Sequence, residues 1–139
     1  MAIGGEWGES ESEKVVEEFL SHNGIEYTAD GGDYRFRIRS GAAEWNVACL
    51  CKGRFVSFVS MYPFAADAAK SVELCHKING ELMLGAAFRH AGTVYLRTAA
   101  EIIDGYTAYE SVSRAAEYNF QAVVNYWRDV NMIRAGEYE

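Results

Sequence analysis

The chain has 139 residues, half of them apolar and 14% aromatic, which suits one folded domain with a sizeable core and excludes a disordered chain. Lys plus Arg number 13 against 20 Asp plus Glu, a formal net charge of −7. This balance lacks the cationic excess that phosphate-backbone binding requires, so nucleic acid is not expected as a partner.

Residues 1–9 are rich in glycine and glutamate and are expected to be flexible, with Ile3 and Trp7 able to dock on the body. Ser10 followed by Glu13 predicts a capping box opening a helix over 10–23. Val15, Val16, Phe19 and Leu20 share its apolar face, and Asn23-Gly24 supplies its stop. The first 20 residues carry six Glu against one Lys, so most of the net charge sits there.

Three strands follow. Ile25–Thr28 leads into the first, with Gly31-Gly32 as a break or bulge; Tyr34, Phe36 and Ile38 then alternate with Arg35, Arg37 and Arg39. The second alternates Trp45, Val47, Cys49 and Cys51 with Glu44, Asn46, Ala48 and Leu50. The third, Phe55–Tyr62, is apolar on both parities, which predicts a central strand covered on both sides. Pro63 ends it. A helix over 66–83, closed by Gly85, precedes two short strands joined around Ala91-Gly92. From Tyr106 to before Gly136, Tyr109, Val112, Ala116, Phe120, Val123 and Trp127 recur at helical spacing. The expected fold class is α+β: one antiparallel sheet of about five strands in helix–βββ–helix–ββ–helix order. Residues 1–139 are taken as a single domain, with its folded body over 10–134.

The sequence carries little that points to catalysis. Cys49, Cys51 and Cys75 are an odd set, which argues against a disulfide framework and for a reducing compartment. Zinc needs four ligands, and Cys49-x-Cys51 on a strand with Cys75-His76 on a distant helix does not have that spacing. Glu73-x-x-His76 is half of a di-iron pattern and lacks its second pair. No glycine-rich nucleophile elbow surrounds a cysteine that His22, His76 or His90 could activate, and no phosphate-binding loop is present. No cofactor, metal or catalytic residue is expected. The opening residues carry no secretory leader, and no apolar run is long enough to cross a bilayer, so a cytoplasmic location without membrane contact is expected.

Two features point to binding. Arg35, Arg37 and Arg39 form a cationic ladder on one strand face, fit to receive an acidic segment of a partner or of this chain's own start. The surplus of apolar strand residues leaves Leu50, Ala48 and one parity of the third strand on the sheet's far side. The candidate contact residues are Arg35, Arg37, Arg39, Leu50 and Tyr62.

Phe19-Leu20 with Gly24-Ile25 and Tyr27, then Tyr34-x-Phe36, Trp45-x-Val47, Phe58-x-Ser60-x-Tyr62-Pro63 and Cys75-x-x-Ile78-Asn79, occur in an order that resembles the bacterial YbjN-type domains, labelled sensory transduction regulators. The resemblance spans roughly residues 13–130. It implies a fold like that of type III secretion chaperones, many of which dimerise and bind extended client segments along apolar grooves. It implies no known enzymatic activity. A non-catalytic, homodimeric protein-binding module with an unidentified client is the expectation; a small-molecule sensor, or a cysteine-based enzyme or redox switch, is the alternative.

Overall fold

The computed structural model describes residues 7–135. Its elements run α1 (Glu9–His22), β1 (Tyr27–Asp30), β2 (Asp33–Ser40), β3 (Ala43–Lys52), β4 (Phe55–Met61), α2 (Ala68–Glu81), β5 (Gly85–His90), β6 (Thr93–Glu101) and α3 (Ala108–Met132). The class is α+β, and all strand pairings are antiparallel in a sheet of order β1-β2-β3-β4-β6-β5.

Among the described residues the sheet has six strands, where about five are expected. Gly31 and Gly32 have φ of 58° and 92° and join β1 to β2 as a two-residue hairpin. Positive φ at both central residues is what a type I′ turn needs, so the glycine pair folds the chain back instead of breaking one strand. The start of α1 also differs from the expected capping box. Gly8 is the N-cap, and the Glu11 carboxylate accepts its N–H at 3.0 Å. The expected flexible segment is held at one point: Trp7 Nε1 donates to Ser12 Oγ at 2.8 Å, and Ser12 Oγ donates to the Gly53 carbonyl at 2.7 Å. Ile3 lies outside the described residues.

α1 and α3 cover one sheet face. Tyr34 and Phe36 of β2, Trp45, Val47, Cys49 and Cys51 of β3, Val56 and Phe58 of β4, and Val94 and Leu96 of β6 are buried there. α3 lies close because the residues it turns to the sheet include Ala108, Ala115, Ala116 and Ala122. Polar groups lace this contact. Asn119 Nδ2 donates to the carbonyls of Phe58 (2.9 Å) and Leu96 (3.1 Å), on neighbouring β4 and β6. Ser60 Oγ donates to Asn119 Oδ1 and accepts from Trp45 Nε1. Thr98 and Tyr62 hydroxyls donate to the mid-helix carbonyls of Ala115 and Val123.

α2 lies along the β5 edge. Asp67 caps it through the Lys70 N–H. Its Asn79 side chain pairs with both the N–H and the carbonyl of Ala87, so the outward backbone groups of β5 are occupied there. Gly85 belongs to β5 rather than to the helix stop; a Cβ there would stand 2.9 Å from the Arg97 carbonyl.

β4 is central, as its composition predicts, but among the described residues helices cover it on one side only. Val56 and Phe58 face the helices, while Phe55 (53% exposed), Val59 and Met61 face the other way. No helix among the described residues lies over that second face.

Candidate functional site

The open face is set by register. Arg35 of β2 stands opposite Ala48 of β3, Ala48 opposite Val59 of β4, and Val59 opposite Arg97 of β6. The next row is Arg37, Asn46, Met61, Tyr95 and Phe88. The face therefore has an apolar floor of Ala48, Val59 and Met61, all half-buried, between cations on β2 and on β6. Arg35, Arg37, Asn46, Val59, Met61 and Tyr95 border a hollow of about 450 Å³. Among the described residues no carboxylate lines it.

The arginines differ in their partners. Arg37 Nη1 and Arg39 Nη2 share the Glu44 carboxylate at 3.5 and 3.6 Å, and Arg37 Nε donates to Asn46 Oδ1 at 3.1 Å. Such exposed pairs are worth only about 0.2–1 kcal/mol and give way readily to another anion. Arg35 has no carboxylate partner among the described residues. Arg97 lies over the Phe88 ring, 5.7 Å from its centroid, and Phe88 stacks on Tyr95 at 5.3 Å. The aromatic pair thus braces the β6 ridge.

The structure brings the three expected arginines onto this face together with Leu50, which is 37% exposed and sits opposite Asp33 and Ser57 beyond the hollow. Tyr62 is corrected. It is 1% exposed, on the helix side, with its hydroxyl on the Val123 carbonyl at 2.8 Å, and a partner has no access to it. The free parity of β4 is Phe55, Val59 and Met61, because Phe58 pairs with the inward Cys49. Sequence reasoning missed Tyr95 and Arg97. Their shared parity against Val94 and Leu96 was a visible signal, but only the β4–β6 pairing sets it beside the arginine ladder.

The acidic helix does not meet the ladder. Tyr34 points to the helix side and donates to Glu17 Oε2 at 2.6 Å, so this α1 glutamate lies across the sheet from the arginines. Residues 1–6 are outside the described part.

The thiols are poorly placed for chemistry. Cys49, Cys51 and Cys75 are all buried. A hydrogen bond with Cys51 and burial push the Cys49 thiol well up, and burial raises Cys75. Nucleophilic attack needs thiolate, which the surroundings of Cys49 and Cys75 disfavour. Among the described residues no group of three or more His, Cys, Asp or Glu side chains is arranged to hold a metal ion. Among them, too, no helix is long and apolar enough to cross a membrane.

The sequence matches no protein family profile and no curated protein. Among solved structures it is similar to the crystal structure of YbjN from E. coli, a protein provisionally named a transcription regulator. The TM-score is 0.59 at 12% identity, over 84% of this chain and 91% of that one. The chain has a YbjN-type fold.

Proposed function

We propose that this chain is a non-catalytic protein-binding module with a regulatory or chaperone-like role in a bacterial cytoplasm, and that it receives its client on the open sheet face. The observation that carries this reading is the apolar floor of Ala48, Val59 and Met61 framed by Arg35, Arg37 and Arg97. A solvated outer sheet face ordinarily alternates polar residues outward. Here the centre of the outward set is apolar and is flanked by Arg35, Arg37 and Arg97, with Asp33, Glu44 and Glu101 farther along the same face, the layout of an interface patch with a polar border. The regulator label of the structurally similar YbjN agrees with such a role.

The test is a photo-crosslinking amino acid placed at Met61, with the exposed Lys70 on α2 as control position. Discrete protein adducts from position 61 and none from position 70 are expected in cells; equal or absent labelling at both overturns the reading. A small-molecule sensor is the second reading, favoured by the hollow's size, which falls within the range of ligand sites. A ligand of that kind raises the thermal midpoint of the purified protein.

A further inference from the structure

We propose that the open face takes an amphipathic α-helix of a partner, with one apolar stripe and acidic flanks; this rests on the protein-binding reading above. Four observations select that occupant. The first is charge. The hollow is bordered by Arg35 and Arg37, and among the described residues no carboxylate lines it; Arg97 flanks it across the floor, in a chain of net −7. Arg35 is unmatched among the described residues, and Arg37 shares its carboxylate with Arg39. An acidic partner gains here what the rest of the surface repels.

The second is width. Arg35 and Arg97 lie on strands separated by β3 and β4, about 14 Å at the usual spacing between neighbouring strands. A helix with its side chains is about 10–12 Å across. One lying along the strands fills that span, rests its stripe on Ala48, Val59 and Met61, and reaches a cation on each side.

The third is the backbone. The face of a sheet offers no ladder hydrogen bonds; those belong to its edges. An extended segment laid on this floor would bury its own N–H and C=O groups unpaired, whereas a helix arrives with them satisfied. The fourth argues against a second copy of this chain. Isologous pairing sets a patch against itself, which here brings the Arg35, Arg37 and Arg97 ridges against their own like. A bare polyanion is also a poor match, since it leaves the apolar floor wet.

The probe is a fluorescein-labelled peptide of about 15 residues with a leucine stripe flanked by glutamates. At about 1.5 Å per residue its length matches the roughly 23 Å of seven-residue β4. Its companions are a peptide with lysine for glutamate and one of the same composition broken by two prolines. Anisotropy with the whole chain at low ionic strength should show saturable binding of the acidic helix alone. Arg35→Glu/Arg97→Glu should weaken it by about tenfold or more, as two reversed exposed pairs would. Met61→Glu should weaken it comparably, with unaltered circular dichroism in both variants. Binding of the lysine peptide, undiminished binding in the arginine variant, or no binding of the acidic helix each overturns the proposal. Equal binding of the proline-broken peptide overturns the helix and assigns the face to an extended segment. Crosslinks at position 61 that persist when the acidic helix fails leave the protein-binding reading standing; their loss removes both.

Discussion

Asn119 is the side chain on which the two layers turn. It is fully buried, its amide donates to carbonyls on two adjacent strands, and its oxygen accepts from Ser60, which in turn holds the Trp45 indole. A polar group so placed stabilises only while every partner is present, because an orphaned buried group costs about 1–3 kcal/mol. Asn119→Ala removes the donor and acceptor and opens a void, so a loss of about 2–4 kcal/mol is expected by urea denaturation; a loss below 1 kcal/mol would show water replacing the amide. The helical periodicity of α3 was legible in the sequence, yet Asn119 was not, since nothing local marks an asparagine on an apolar stripe as a strand-bridging group. Three tyrosines contribute to the pH dependence at alkaline pH. Burial and the Glu81 hydrogen bond push Tyr126 up to about 12. Burial also raises Tyr34, assisted by its bond to Glu17, and raises Tyr62, assisted by the charge of Asp129. The folded state therefore holds these phenolic protons more tightly than the unfolded chain. That contribution is complete below the unfolded value of about 10 and is lost as pH rises toward the folded values. The urea midpoint should be lower at about pH 11.5 than at about pH 9, and an unchanged midpoint would mean the phenols ionise without unfolding.

Hairpin geometry explains where the elements were legible and where they were not. β2 and β3 follow from strict alternation, and their turn at Gly41 was visible, so the Arg35-Arg37-Arg39 face is legible in the sequence. β1 is four residues long, too short for alternation to mark, and only the two positive φ values at Gly31-Gly32 turn it into a strand. The second hairpin shows the same demand with a worse residue. Ala91 and Gly92 join β5 to β6 with φ of 52° and 85°. Alanine in the left-handed region is strained by about 1–2 kcal/mol, and Asn-Gly is the favoured pair for this turn. Ala91→Asn should therefore raise stability by about 0.5–1 kcal/mol, read as a higher thermal midpoint. A fall would mean the loop relaxes into another turn. α2 was legible as a helix, but its role along the β5 edge was not, because the Asn79 pairing with Ala87 depends on where the chain returns after Gly85.

Over residues 7–135 the fold has two layers and one sheet face without a helix, and that asymmetry is what composition alone misjudged. β4 is apolar on both parities, which suggested cover on both sides; the helices instead share one side, and the second parity is left for something else. Which parity is free depends on the pairing of Phe58 with Cys49, a long-range fact, and so Tyr62 was assigned to the surface when Met61 and Val59 belong there. Self-association would compete for the same apolar surface. A homodimer is the expectation from the sequence, whereas the cationic ridges oppose an isologous contact through the open face. A dimer that uses another surface keeps the trough free for a client, and the two cases separate by mass. Light scattering across dilution should give the same mass for the native chain and for Arg35→Glu/Arg97→Glu, since like charge disfavours self-association through the face that carries those side chains. A dimer that dissociates in the variant would place the contact on the trough and leave no room there for a partner's helix. A dimer that persists in both, or a monomer in both, leaves the apolar floor and its arginines available, and the acidic helix then competes with water alone.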